Sequence, residues 1–282
     1  MKVFVTGATG QLGHDVCREL ERRGVEYRGV GSRELDITDA AAVEAALGEY
    51  APDGVIHCAA WTKVDAAEDE RAACWRVNAA GTAHIAAACA ALGAKVLYIS
   101  TDYVFPGTGA APWKTDDGTG PLSVYGKSKL AGELAVETLL EKYFIVRISW
   151  VFGKNGNNFV KTMLRLSETK TELGVVADQI GSPTYTADLA PLLCDMIGTE
   201  KYGIYHASNE GECSWAELAE EIFRRTGKDV RVNRLATEQS PARAPRPRNS
   251  RLDKSRLTAE GFSRLPDWRD ALGRYLKEIG AV

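Results

Sequence analysis

Three glycines follow the first apolar run of the chain at intervals of three residues. Gly7, Gly10 and Gly13 come directly after residues 2–6, and they open a segment whose apolar residues have helical spacing. Glycines at such a junction allow a tight turn and let backbone amides approach an anion at the N-terminus of the following helix. This arrangement predicts a strand–turn–helix unit whose turn binds the pyrophosphate of a dinucleotide.

Short apolar runs alternate with helical segments through the first half of the chain. Strands are predicted at residues 2–6, 27–30, 54–58, 95–100 and 144–148, and helices at 12–23, 40–50, 71–92 and 124–141. Continuous apolar strands joined by helices are typical of a parallel sheet that is covered on both faces. With right-handed crossovers, we expect an α/β fold with a Rossmann-type doubly wound parallel sheet.

The regular alternation weakens after Trp150. Helices are predicted at 159–168, 186–197, 215–226 and 267–279, extended segments at 173–176 and 203–207, and a proline- and arginine-rich loop at 241–247. We therefore expect a dinucleotide-binding Rossmann domain over residues 1–150. Residues 151–282 are predicted to form mainly a smaller C-terminal substrate-binding lobe, from which some segments return to the Rossmann domain.

Composition argues against several classes of protein. A formal net charge of −3 does not favour binding to nucleic acid or to a membrane surface. No apolar run approaches the ~20 residues that span a bilayer, and the N-terminus lacks the features of a signal peptide, so we expect a cytoplasmic protein. The six cysteines and four histidines are scattered, which predicts neither a disulfide framework nor a metal cluster.

The end of the second predicted strand indicates which nicotinamide cofactor binds. NAD-specific sites usually place an acidic residue there, but this strand ends in Ser32 and Arg33. An arginine beside a serine suits the 2′-phosphate of NADPH, and the alternative is that Arg33 is a solvated loop residue. We predict NADPH, with some tolerance for NADH. The predicted cofactor contacts are Gly7, Thr9, Gly10, Gln11, Leu12, Gly13, Ser32, Arg33, Asp36, Ile37, Ala59, Ala60, Thr62, Tyr125 and Lys129.

Tyr125 and Lys129 have the i, i+4 spacing that places two side chains on one face of a helix. A nearby ammonium favours the phenolate and makes a tyrosine a usable acid near neutral pH. Thr101 follows the preceding predicted strand, at the edge where doubly wound proteins bind ligands. We predict reduction of a ketone by NADPH, with Tyr125 as the proton donor and Thr101 orienting the carbonyl. Lys129 is predicted to lower the tyrosine pKa and to bind the ribose.

Longer stretches of the chain resemble one family of the extended short-chain dehydrogenase/reductase superfamily, the dTDP-4-dehydrorhamnose reductases. They extend over nearly the whole chain: residues 59–65 (AAWTKVD), 100–107 (STDYVFPG), 124–133 (VYGKSKLAGE), 149–152 (SWVF), 156–159 (GNNF), 178–184 (DQIGSPT) and 246–252 (RPRNSRL). The resemblance implies reduction of the 4-keto group of dTDP-6-deoxy-L-lyxo-4-hexulose to dTDP-L-rhamnose. It also implies that Thr101, Tyr125 and Lys129 are catalytic.

The same resemblance implies a set of substrate-binding residues. They are Val64, Asp65, Thr101, Asp102, Tyr103, Trp150, Asn158 and Arg246. Some members of the family bind Mg²⁺ through acidic side chains at a dimer interface, and Asp188 lies where one such acid is expected. The expected partner is a dTDP-sugar, with no nucleic acid and no membrane. The chain is expected to be a monomer or a homodimer.

Two other functions remain open from the sequence. A nucleotide-sugar epimerase or dehydratase has the same scaffold, although a dehydratase is expected to have a glutamate where Tyr103 follows Asp102. A non-catalytic regulatory subunit, similar to that of methionine adenosyltransferase, need not keep Thr101, Tyr125 and Lys129. The presence of all three residues favours an enzyme.

Overall fold

The computed structural model describes all 282 residues. The elements up to residue 148 are β1 (Lys2–Thr6), α1 (Gln11–Arg22), β2 (Glu26–Val30), α2 (Ala40–Tyr50), β3 (Gly54–His57), α3 (Val64–Asp69), α4 (Arg71–Trp75), α5 (Thr82–Leu92), β4 (Lys95–Thr101), α6 (Val124–Leu139) and β5 (Tyr143–Ile148). A π-helical segment (Arg76–Gly81) joins α4 to α5, and a 3₁₀ turn (Asp102–Val104) follows β4.

The second half of the chain has shorter strands and a less regular order. Its elements are β6 (Val151–Phe152), α7 (Phe159–Leu166), β7 (Glu172–Val176), β8 (Ile180–Gly181), β9 (Thr184–Tyr185), α8 (Thr186–Ile197), β10 (Gly203–His206), β11 (Cys213–Ser214), α9 (Trp215–Thr226), β12 (Arg231–Leu235), β13 (Asn249–Ser250), α10 (Ser255–Ala259) and α11 (Trp268–Glu278). None of the helices is long and apolar enough to cross a membrane.

The main sheet has six strands in the order β10-β5-β4-β3-β1-β2, and every neighbouring pair is parallel. The chain moves from β1 outward to β2 and then returns to the other side of β1 to form β3. This change of direction opens a crevice at the carboxyl ends of β1 and β3, which is where doubly wound sheets bind ligands. The predicted α/β class with a doubly wound parallel sheet is confirmed.

Alternation along the strands builds a separate hydrophobic core on each face of the sheet. In β1, Val3 and Val5 pack against α1 and α8, whereas Phe4 packs on the opposite face against α2 and α5. A third core joins α7, α9 and α11 in the C-terminal lobe. Residues 186–206 thus lie with the main sheet, because α8 covers one face and β10 extends one edge. The domain boundary at residue 150 stays a prediction.

The single long helix predicted at residues 71–92 is wrong in detail, because its middle is the π-helical segment. The wider turn accompanies a buried contact of Asn78. Its side chain accepts a hydrogen bond from Trp61 N (2.7 Å), and its Nδ2 donates to the Trp61 carbonyl (3.1 Å) and to Ser128 Oγ (3.0 Å). π-turns of this kind often occur near functional sites. Here the side chain of Asn78 links Trp61, in the segment after β3, to Ser128 of α6, the helix that carries Tyr125.

Candidate active site

One large cavity is lined both by the carboxyl ends of the main sheet and by elements of the third hydrophobic core. Its volume is about 1450 Å³, above the roughly 300–1000 Å³ typical of a pocket for one small ligand. One half is lined by the glycine turn and the ends of β2 and β3. The other half is lined by residues from α7, β7, α9 and the 240–246 segment. The cavity therefore has room for two ligands end to end.

The glycine turn forms the floor of the first half. Gly7 has a φ of +69°, and a Cβ there would lie 2.7 Å from the Ala59 amide nitrogen. Gly10 caps α1 without a side-chain hydrogen bond, and no acidic residue occurs in the first turn, so the helix N-terminus is open to an anion. Gly13 does not line the cavity, because it packs against the Gly7 carbonyl and brings the helix close to the turn.

Most of the other predicted cofactor contacts line the same half of the cavity: Thr9, Gln11, Leu12, Ser32, Asp36, Ile37, Ala59, Ala60 and Thr62. Arg33 lies outside the lining, exposed in the turn after β2 and free of any salt bridge. The sequence reasoning missed Glu34, whose carboxylate accepts a hydrogen bond from Gly31 N at 2.8 Å. An acidic residue therefore does lie near the end of β2, four residues after Val30 and directly after Arg33.

Thr101, Tyr125 and Lys129 all line this cavity. Thr101 ends β4, and Ser123 starts α6 by accepting a hydrogen bond from Gly126 N at 3.1 Å. That cap sets Tyr125 in the first turn of the helix, with its ring edge-on to Tyr103 at 5.5 Å between centroids. The predicted catalytic residues are therefore brought together.

The contacts of Lys129 differ from the predicted pairing of its ammonium with the tyrosine hydroxyl. Its Nζ donates to the Ile99 carbonyl at 2.7 Å and lies 4.1 Å from the centroid of the Tyr98 ring, and no hydrogen bond joins it to Tyr125. Burial raises the pKa of Tyr125, and a hydrogen bond with Thr101 opposes that rise. Burial also lowers the pKa of Lys129 to about 7, while the Glu133 carboxylate opposes the fall.

A buried ion pair lies directly behind these residues, and the sequence reasoning did not single it out. Glu133, one turn after Lys129 on α6, accepts two hydrogen bonds from Arg147 of β5, at 2.9 Å from Nε and 2.7 Å from Nη2. Ser100 also donates to Glu133. The side chains of Glu133 and Arg147 are 1% and 4% exposed. The pair ties α6 to β4 and β5 beneath the catalytic residues.

The cavity lining includes all but one of the predicted substrate contacts: Val64, Asp65, Thr101, Asp102, Tyr103, Trp150 and Arg246. Burial raises the pKa of Asp102 to about 6. Asn158 is the exception, because its side chain caps α7 and donates to Gln11 Oε1 (3.1 Å) and Tyr275 Oη (2.9 Å). Its neighbours Asn157 and Phe159 line the cavity instead.

An aromatic wall in the C-terminal lobe was only partly predicted. Trp150 has an unusual φ of +49° and stacks on Trp215, with 3.7 Å between ring centroids and 13° between planes. Phe159 packs against Trp215 at 4.7 Å. Trp215, which the sequence reasoning missed, starts α9, 65 residues after Trp150 in the chain. Stacked aromatic faces of this kind suit a planar base or the apolar face of a sugar.

The residues around Asp188 do not fit a magnesium site. Both carboxylate oxygens accept hydrogen bonds from Arg274, at 2.6 and 2.7 Å, and Oδ2 also accepts from Asn209 at 2.7 Å. An arginine neutralises this carboxylate, and Mg²⁺ needs free oxygen ligands. No group of three or more potential metal-ligating side chains occurs elsewhere in the structure.

These features together define a class of protein. A doubly wound sheet with a glycine turn at its switch point, and a tyrosine–lysine pair on the helix after β4, is the arrangement of a short-chain dehydrogenase/reductase. The family follows from comparison with known proteins. The sequence profile of the RmlD substrate binding domain matches residues 1–281. The chain belongs to the RmlD family.

Individual relatives agree with this assignment. A dTDP-4-dehydrorhamnose reductase of Streptomyces griseus is 48% identical over 276 residues, covering 95% of this chain and 91% of the relative. The crystal structure of dTDP-4-dehydrorhamnose reductase from Bacillus anthracis in complex with NADP is 45% identical and has a TM-score of 0.95, covering 98% of this chain and 99% of that one. A Clostridium acetobutylicum orthologue is 42% identical, with a TM-score of 0.97 and coverage of 99% and 100%.

Proposed function

We propose that this protein is a dTDP-4-dehydrorhamnose reductase, which uses NADPH to reduce the 4-keto group of dTDP-6-deoxy-L-lyxo-4-hexulose to dTDP-L-rhamnose. One observation carries the proposal beyond family membership. Thr101, Tyr125 and Lys129 line the same cavity as the glycine turn and as Trp150, Trp215 and Arg246. A ketone between the two halves would meet a hydride donor and a proton donor at the same point.

The cofactor and the protein supply different parts of the reaction. When bound, the dinucleotide supplies the hydride. Thr101 Oγ1 and Tyr125 Oη hold the carbonyl oxygen, and the tyrosine donates a proton to the alkoxide that develops there. Lys129 is buried one helical turn after Tyr125, and its ammonium would stabilise the phenolate left behind and bind the ribose hydroxyls of the cofactor. Glu133 supports that role, because its negative charge favours the protonated form of Lys129.

NADPH is the cofactor, in keeping with the NADP that the Bacillus anthracis relative holds. Ser32 lines the cavity, and the exposed, unpaired guanidinium of Arg33 is within the same turn, which suits a 2′-phosphate. Glu34 supports some tolerance for NADH, since a carboxylate near the end of β2 suits free ribose hydroxyls. A cytoplasmic location and the choice between monomer and homodimer stay predictions.

We expect Arg33→Gln to raise KM for NADPH by about tenfold and to leave KM for NADH nearly unchanged, because only NADPH carries the 2′-phosphate. Steady-state kinetics with each cofactor measures the two values. Arg28→Gln is the matched control, since Arg28 is also an exposed arginine of this region but pairs with Glu49 on the outer surface. An equal rise for both cofactors in Arg33→Gln would contradict the assigned role.

The substrate half of the site suits a nucleotide sugar. Arg246 is a cation for the pyrophosphate, and the stacked Trp150 and Trp215 offer apolar faces for the deoxysugar or the base. Tyr103 and Val64 complete the lining next to the catalytic residues. These assignments are part of the proposal.

A reconstituted reaction tests the function. The protein is mixed with dTDP-glucose, the upstream dehydratase and epimerase, and NADPH, and the absorbance of NADPH is followed while the product is identified by NMR. We expect NADPH to be consumed in proportion to the dTDP-L-rhamnose formed. Conversion of the sugar without net loss of NADPH would indicate an epimerase, and no turnover at all would remove the catalytic proposal.

A further inference from the structure

The segment of residues 240–247, here called the strap, borders the cavity and contacts helix α3. Ser240, Pro241, Ala242 and Arg246 of the strap line the cavity, and so does Asp65 of α3. Residues 241–247 form no backbone–backbone hydrogen bond. Other contacts must therefore hold the strap in place, since an irregular segment loses conformational freedom when it is ordered.

One carboxylate supplies most of these contacts. Asp65 Oδ1 accepts hydrogen bonds from the amides of Arg243 (3.2 Å) and Ala244 (3.1 Å). The two oxygens of Asp65 also accept from Arg246 Nη1 (2.9 Å) and Nη2 (3.0 Å). Arg243 pairs with Asp69 one turn further along α3. At the other end of the strap, Pro247 packs closely over Gly107, whose φ is +70°.

The hydrogen bonds from Arg246 to Asp65 determine which edge of the guanidinium is left for a ligand. Asp65 engages the end of the fork formed by Nη1 and Nη2, and Nη1 also donates to the Ala244 carbonyl at 3.3 Å. The side edge, formed by Nε and the remaining hydrogen of Nη2, has no protein partner. A guanidinium edge of this kind binds an oxyanion with two parallel hydrogen bonds. Arg246 is 26% exposed on its side chain and lines the cavity.

We propose that Asp65 is a positioning residue that anchors the strap across the cavity and aims the free edge of Arg246 at the substrate pyrophosphate. The identity of that anion rests on the proposed function, whereas the anchoring of the strap does not. Without Asp65, the strap would have to be ordered by the substrate itself. The apparent affinity for the substrate would then equal the intrinsic affinity multiplied by the fraction of molecules whose strap is ordered.

Hydrogen exchange measured by mass spectrometry tests the anchoring without any turnover. We expect strap amides to exchange at least about tenfold faster in Asp65→Ala than in the wild-type protein, because the Arg243 and Ala244 amides lose their acceptor. Asp69→Asn is the matched control, since it removes only the partner of the Arg243 side chain and leaves both amides bonded. In the wild-type protein, added dTDP is expected to slow strap exchange further.

Kinetics provides the second readout. Asp65→Ala and Asp65→Asn are expected to raise KM for the dTDP-ketosugar by about tenfold, with kcat and KM for NADPH nearly unchanged. Unchanged strap exchange in Asp65→Ala overturns the proposal, as does an equal rise of KM for both substrates. A wild-type protein that does not reduce the ketosugar, but whose strap exchange depends on Asp65, refutes the proposed function and supports the anchor.

Discussion

Replacing Tyr125 with phenylalanine is expected to lower kcat by about 10²–10⁴-fold, because the change removes the proton donor for the developing alkoxide. The ring itself remains, and so does its edge-on packing against Tyr103. The dissociation constant of NADPH should therefore stay close to the wild-type value. Single-turnover kinetics measures the rate of reduction, and a fluorescence titration measures cofactor binding.

Tyr103→Phe is the matched control for this prediction. It also removes one phenolic hydroxyl from the wall of the same cavity, 5.5 Å away between ring centroids. Its expected effect is on KM for the sugar nucleotide, with a much smaller effect on kcat. If Tyr125→Phe kept near-normal turnover, or if both variants lost kcat equally, another group would have to supply the proton.

The second large effect concerns stability. Glu133→Gln is expected to lower the free energy of unfolding by ~3–5 kcal/mol, because it leaves the charge of Arg147 buried without an opposite charge. Arg147 is 4% exposed on its side chain, and its Nε and Nη2 both donate to Glu133. Urea denaturation measures the change. A loss below about 1 kcal/mol would contradict the view that this pair is isolated from water.

Two further variants distinguish the effect of losing the ion pair from the effect of changing a residue of α6. Glu137→Gln lies one turn further along α6, at an exposed position with a long hydrogen bond from Tyr143 (3.4 Å). It is expected to change the free energy of unfolding by less than about 0.5 kcal/mol. The double variant Glu133→Gln, Arg147→Met is expected to recover part of the stability lost in the single variant, because it removes the unpaired charge.

The sequence was informative where local spacing determines structure. The turn from Gly7 to Gly13 and the helical pair Tyr125 and Lys129 each lie within a few residues, so their geometry follows from one turn or one helix. Apolar strands separated by helices likewise predicted the parallel sheet. Boundaries of the main elements differ from the predicted ones by only one or two residues, apart from the π-helical interruption after α4.

The contacts that were missed join distant parts of the chain. Asp65 and Arg246 are 181 residues apart, and the stacked Trp150 and Trp215 are 65 residues apart. Lys129 illustrates a different difficulty. Its spacing from Tyr125 was correct, but the ammonium donates its hydrogen bond to the carbonyl of Ile99, near the end of β4. Such outcomes depend on the packing of neighbouring elements, which the spacing of residues along one helix does not specify.

Asn158 and Arg33 are two predicted contact residues that do not line the cavity. Asn158 lies within the GNNF stretch, yet its amide caps α7 and reaches Gln11 of the cofactor turn. Asn158 therefore holds α7 and Gln11 in position without lining the cavity itself. Arg33 is next to Ser32 in the chain but does not itself line the cavity. Its part in binding the 2′-phosphate therefore depends on how far its unpaired, exposed side chain can extend.

Transfer of deuterium from labelled cofactor tests the central claim most directly. The protein is supplied with the 4-ketosugar nucleotide and with NADPH that carries deuterium at the reactive carbon of the nicotinamide, and the product is analysed by NMR. We predict dTDP-L-rhamnose with deuterium at C4 of the sugar and an equal amount of oxidised cofactor. A product without deuterium at C4, or sugar conversion that leaves the cofactor reduced, would contradict hydride delivery across this cavity.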